Sequence, residues 1–246
     1  MAMGAHIVIV SLLLVHYAKS LPWDKYILAP FSRTIVPLIY LNQQGNNSAN
    51  PVVFPILLDA TNSSILFDFE REVGGEISFV TGECTSTVLQ LAFSESILYV
   101  NTGDNSNGGS GSDGLLTLPV TANTNISAPA RFLRGGFRYI KMILTSGGMC
   151  QITQFNLFFT ATPLMADLRN YSNHFWCSDD LINRIWYSGA YTAQLSIINP
   201  NQGRVWPAPS TGWNNSATVG TGIVPAVISF NFVRICACCR IIHIRS

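Results

Sequence analysis

Between Ile65 and Thr160 the apolar residues arrive in seven short runs, each too brief for a packed helix: ILFDF (65–69), ISFVT (77–81), TVLQLAF (87–93), ILYV (97–100), LLTL (115–118), FRYIKMIL (137–144) and QITQFNLFFT (151–160). Runs of this length bounded by turn residues bury their side chains as strands. In FRYIKMIL, alternation assigns Phe137, Tyr139, Lys141 and Ile143 to one face and Arg138, Ile140, Met142 and Leu144 to the other. The separators Val73-Gly74-Gly75, Gly135-Gly136 and Gly147-Gly148 read as hairpins or bulges. From Pro22 to about Pro163 the chain therefore predicts a mainly β fold, a β-sandwich of jelly-roll type.

The 246 residues are 48% hydrophobic and 11% charged, with 14 Lys and Arg against 13 Asp and Glu. Charges that cancel so nearly leave no footprint for nucleic acid or an anionic membrane. The start has an apolar run, Ile7 to Val15, then Ala18-Lys19-Ser20. It is too short to span a bilayer and reads as a signal peptide over 1–20, although no Lys or Arg precedes the run; a buried helix or strand is the alternative. Sequons at Asn46, Asn62, Asn125, Asn170 and Asn214 suit a secreted, extracellular glycoprotein. Oxidised surroundings would let Cys84 and Cys150 pair and close a long loop, while two buried free thiols stay open as the other reading.

The run NTGDNSNGGSGSDG (101–114) lacks the ending of a phosphate-binding loop and reads as a long exposed hairpin connection. The pattern changes at Ala166. In CSDDLINRIWYSGAYTAQL, Ser178 fits a helix N-cap and Asp179 and Asp180 fit the first turn. Ile182, Ile185, Trp186, Gly189 and Ala193 then share a face. In FDFEREVGGE, alternation places Asp68, Glu70 and Glu72 in a row, either an exposed strand face or a like-charge cluster able to hold calcium. No other cofactor is suggested.

The segments PWDKYILAPFSRT (22–34), FDFEREVGGEISF (67–79), RGGFRYIKMIL (134–144), FWCSDDLINRIWYSGAYTAQL (175–195) and GRVWPAPSTGWNNSATVG (203–220) occur in that order. In this respect the chain resembles the fungal secreted six-hairpin glycosidases similar to α-L-rhamnosidases, glycoside hydrolase family 78. The resemblance implies an accessory sandwich similar to galactose-binding modules over 21–163. The start of an (α/α)6 glycosidase barrel would follow over 164–229, with 175–195 as its first helix. It also implies hydrolysis of terminal rhamnosides with inversion, on plant or microbial glycans. Inversion needs one carboxyl group to protonate the leaving oxygen and another to activate water. The family's acidic segments are expected just beyond Trp213-Asn214-Asn215, and no Asp or Glu follows Asp180 here. The chain is accordingly expected to be an incomplete barrel without catalytic residues, inactive by itself. Without the other barrel helices, Ile182, Ile185 and Trp186 must find the sandwich, self-associate or be left wet.

From about Phe230 the text matches nothing in that family. Cys236, Cys238, Cys239 and His243 are crowded for tetrahedral zinc, so 230–246 reads as a non-family tail from an intron or frame change, with metal binding or disulfide formation as the alternatives. If so, the full enzyme is a longer product. A non-catalytic, lectin-like carbohydrate-binding module is the competing functional reading, with Tyr139, Trp206, Trp213, Asn214 and Asn215 as candidate sugar contacts.

Overall fold

The structure is a computed structural model that describes residues 21–42, 47–49, 51–100, 114–129, 132–134, 136–145, 147–197 and 240–243. Two antiparallel sheets face each other. One contains β1 (Thr34–Ile35), β4 (Ile56–Leu58), β6 (Gly75–Cys84), β9 (Asn125–Ser127) and β11 (Cys150–Phe159). Its order is β1-β11-β6-β9, with β4 also pairing β11. The other contains β2 (Ile39–Asn42), β3 (Asn47–Ala49), β5 (Ser64–Val73), β7 (Val88–Ser94), β8 (Leu116–Pro119) and β10 (Phe137–Leu144), in the order β3-β2-β5-β10-β7-β8. Later come β12 (Asn173–Trp176), a helix α1 (Asp180–Leu195) and β13 (Arg240–His243), which pairs with β12. The expected fold class, a β-sandwich followed by a helix, is the one observed.

The core lies between the sheets. Phe67 of β5 meets Phe155 of β11 with ring centroids 4.5 Å apart, and Phe93 and Phe69 set their edges against Phe137. Aromatic rings of this size bury enough apolar surface to dominate a small core, and offset or edge contacts suit their quadrupoles. The core does not stop at the sandwich: Trp23, Tyr26, Leu168, Tyr187 and Tyr191 belong to the same buried cluster.

Several local expectations are corrected. ILYV (97–100) is a turn, with Ile97, Leu98 and Tyr99 exposed. Its apolar composition resembles a strand, but four residues can reverse the chain as readily as extend it. The Gly74-Gly75 pair is not a hairpin, since β5 and β6 lie in different sheets and the chain crosses between them there. Gly75 passes so close to the backbone of Phe158 that a β-carbon would collide with its carbonyl, which is why a residue without a side chain stands there.

The proposed row of Asp68, Glu70 and Glu72 is also broken. Glu70 has φ of 59°, and pairing skips from Phe137↔Val73 to Tyr139↔Asp68, so β5 bulges and alternation is lost across it. Phe67, Asp68 and Phe69 are all buried, while Glu70, Arg71 and Glu72 are exposed. The same irregularity breaks the two assigned faces of FRYIKMIL, since Phe137 joins Ile140, Met142 and Leu144 in the core. Strands β1 to β4, β9, β12 and β13, of two to four residues, are too short to show a clear period, although β8, also four residues long, stands where LLTL reads as a strand.

Candidate functional site

The densest polar construction lies where the N-terminal segment and α1 meet the end of the sandwich. Two arginines hold it. Arg33 donates to the carbonyls of Phe159 (2.9 Å), Ala161 (3.1 Å), Thr162 (2.8 Å) and Met165 (2.8 Å). Arg169 donates to Asp24 (2.8 Å), Ile27 (2.7 Å) and Ala29 (2.7 Å). A guanidinium offers five donors in a fixed plane, so one side chain can satisfy several carbonyls that irregular chain leaves without ladder partners. Burial lowers the pKa of both groups below the usual arginine value. Arginine stays charged regardless.

The helix begins one residue later than expected. Asp179, not Ser178, is the N-cap, and its carboxylate accepts from the amides of Leu181 (2.9 Å) and Ile182 (3.2 Å). Ahead of it, residues 173–176 form β12 rather than helix. Asn183 closes the entry turn, accepting from Cys177 N at 2.9 Å and donating to Cys177 O at 2.8 Å.

The buried face is rotated from the one expected. Asn183, Tyr187, Tyr191 and Gln194 turn inward, Ile182 and Trp186 are half-buried, and Ile185 is 62% and Leu181 65% exposed. The reason lies in what the helix meets. The sandwich end presents carbonyls and amides, which need hydrogen-bonding side chains. Tyr191 donates to Glu72 O at 2.7 Å, and Gln194 donates to Leu168 O at 2.9 Å while accepting from Tyr171 at 3.0 Å. The Tyr187 hydroxyl accepts from Phe175 N at 3.3 Å and lies 3.4 Å from His174 Nδ1. Burial drives the Tyr171 phenol up to about 12 and raises Tyr187 and Tyr191 as well, so all three stay neutral, and Tyr171 and Tyr191 donate. His174 stacks on Trp23 and Tyr171, and burial lowers its pKa.

Outside this seam an open cleft of about 320 Å³ is lined by Lys25, Tyr26, Leu28, Asp180, Arg184 and Ser188. Asp180 accepts from Tyr26 Oη (2.8 Å) and Arg184 Nε (2.6 Å), with Lys25 Nζ 3.5 Å away. The Tyr26 hydrogen bond, with help from Arg184 and Lys25, holds this carboxyl below its usual range. It is an ionised acceptor, unsuited to protonating a leaving group.

Asp68 is similarly engaged. Asp68 is buried and paired in a fork with Arg138, whose Nε and Nη2 lie 2.7 and 2.8 Å from its two oxygens, and it also accepts from Glu70 N. That leaves it no role in a calcium row with Glu70 and Glu72; among the described residues no three His, Cys, Asp or Glu converge as metal ligands. The Glu72 pKa is raised by partial desolvation of its carboxyl, although the residue is exposed overall, and then by the charge of Glu95, but Glu72 does not line the Asp180 cleft.

Cys84 and Cys150 sit opposite each other on β6 and β11 and are joined by a disulfide. Asn125 and Asn170 are exposed, while Asn62 is half-buried and donates to Leu57 O at 3.1 Å. Tyr139 is buried beside Arg138, so it offers no open ring to a sugar, contrary to expectation. Trp206, Trp213, Asn214, Asn215, Asn46, residues 1–20, residues 101–113 and Cys236, Cys238 and Cys239 lie outside the described residues; of the tail, Arg240–His243 form β13. Sequence reading missed Arg33, Arg169 and the inward tyrosines. The spacing of Asn183, Tyr187 and Tyr191 by four was the available signal, masked by the more apolar stripe beside it.

No protein-family model matches the chain, and no curated protein matches it. Among solved structures it is similar to a rhamnosidase from Klebsiella oxytoca with rhamnose bound. That match has 18% identity and a TM-score of 0.50, covering 70% of this chain and 37% of that one. It is also similar to a GH78 family rhamnosidase of a Bacillus species (17% identity, TM-score 0.43, 58% of this chain and 14% of that one). An α-L-rhamnosidase from Dictyoglumus thermophilum gives 15% identity and a TM-score of 0.39, over 70% of this chain and 17% of that one. The likeness to the Klebsiella protein is one of fold, and this chain spans 37% of its length.

Proposed function

We propose that this chain is the N-terminal part of an exported glycosidase of α-L-rhamnosidase type, acting on terminal rhamnosides of plant or microbial glycans. In this reading the sandwich is a non-catalytic support, and α1 is the first helix of a barrel that bears the hydrolytic carboxylates. The observation that carries it is the fold likeness over 70% of this chain to a rhamnosidase of which it spans 37%. Two features agree with a supporting role. Asp68 and Asp180 are both held in ion pairs. The outward side of α1 leaves Leu181 and Ile185 exposed, as a helix with further helices to pack against would.

By this reading the 246-residue chain does not cleave glycosides, because inverting hydrolysis requires an acid and a base on opposite sides of the sugar. Purified chain incubated with an aryl α-L-rhamnoside is expected to release no phenol above the blank. Enzyme-like turnover that disappears in Glu72→Gln would overturn the assignment. Calorimetric binding of free rhamnose or galactose at millimolar concentration, without turnover, would move it to the lectin-like alternative.

A further inference from the structure

Strand β9 closes one side of the five-stranded sheet, and β6 is its one strand partner among the described residues. An open strand edge offers unpaired amides and carbonyls to any other chain, and stable proteins blunt such edges with charge, proline, very short strands or a cover. Other edges here show such devices: β8 ends in Pro119, β1 is two residues long, and β3 and β4 are three. The β9 edge has no charge. From Gly114 to Ala130 the chain contains no Asp, Glu, Lys or Arg, and Pro129 stands beyond the strand rather than in it. β9 is itself three residues long, but hydrogen bonds from Thr81 N to Thr124 O and from Ala128 N to Ile77 O, 3.0 and 2.9 Å, extend its pairing with β6 over residues 124–128.

The middle residue, Ile126, packs against the core, and Asn125 and Ser127 are both exposed. A sequon has its acceptor amide and its hydroxyl two residues apart, and a strand repeats every two residues, so both groups emerge on one face. By contrast the Asn62 sequon ends in Ser64, which is buried.

We propose that Asn125 carries an N-linked glycan and that this glycan is the cover for the β9 edge. The inference rests on the export reading above. The Asn125 side-chain nitrogen forms a bond to C1 of an oligosaccharide supplied by a lipid-diphosphate donor. The C1–O bond to the diphosphate breaks, the lipid diphosphate leaves, and the amide gives up one proton. A hydrated oligosaccharide on this strand keeps a second chain from adding to the sheet.

Cell-free translation of the full chain with microsomes tests the site without depending on folding. Each occupied sequon adds one mobility step that an endoglycosidase removes, and N125Q and S127A are each expected to lose one step. An unchanged number of steps in both overturns the site; absence of steps at every sequon overturns the export reading as well, and neither result depends on the rhamnoside assay. Sedimentation of the glycosylated protein tests the cover. N125Q is expected to shift toward larger species as concentration rises, relative to wild type, and N125K, which places a charge on the same edge, is expected to restore the wild-type profile. N125Q sedimenting like wild type overturns the shielding role.

Discussion

Replacing Arg33 by alanine is expected to release the turn that carries the chain from β11 toward α1. Four carbonyls lose the guanidinium; Thr162 O keeps the amide of Met165 at 3.0 Å, while those of Phe159 and Ala161 belong to buried residues. A buried acceptor left unsatisfied costs about 1–3 kcal/mol, and bonds to a charged donor sit at the upper end of that range. Arg33 is itself half-buried, so water recovers part of the loss, and a net cost of about 1 kcal/mol for each of the two buried acceptors gives roughly 2 kcal/mol. For a domain of this size that corresponds to a fall of about 4–8 °C in Tm. Arg33→Lys keeps the charge but has three donors and no planar fork, so an intermediate loss is expected. Urea unfolding followed by tryptophan fluorescence gives the free energies, and limited proteolysis shows whether residues 160–170 become the first cleavage site. A loss below about 0.5 kcal/mol in Arg33→Ala, in the range of an ordinary surface substitution, would refute the claim that this guanidinium latches the seam.

Two further outcomes follow from the same structure. Replacing Cys84 and Cys150 together by serine opens a loop with a sequence separation of 66, for which chain entropy predicts a loss on the order of 4 kcal/mol in urea unfolding; no loss would show that the bridge does not constrain the unfolded chain. His174 has a folded pKa below its ordinary 6.5, so its contribution to stability is complete above that value and declines as pH falls below it, where the unfolded chain takes up the proton first. The groups around it are Trp23, Tyr171, Tyr187 and the nearby charge of Asp24. His174→Phe is expected to flatten the stability profile below pH 6.5, and an unchanged slope would assign the acid sensitivity elsewhere.

Most of the sandwich was legible because strand formation is announced locally. In ISFVT and QITQFNLFFT the apolar residues recur at strand spacing, and β6 and β11 appear where those runs stand. The β5 bulge was not legible. Its cause is a side chain far along the chain, Arg138, which draws Asp68 inward while the Asp68 carboxylate also holds the amide of Glu70. Of the acidic residues that read as an exposed strand face or a calcium-holding row, Asp68 is buried and paired with Arg138, while Glu70 and Glu72 stay exposed.

The helix divides in the same way. Its place and its acidic start were written in DDLINRIWYSGAYTAQL, because capping and propensity act within a few residues. Which side turns inward was decided by the partner. An isolated amphipathic helix would bury Ile182, Ile185 and Trp186. Against a sandwich end rich in backbone carbonyls, Tyr191 and Gln194 gain hydrogen bonds that isoleucine cannot make, and Ile185 is left in water. Local sequence determines that strands and a helix form here; the complementarity of distant polar groups decides the bulge, the sheet each strand joins and the face the helix buries, because those free energies exist only once the chain has closed on itself.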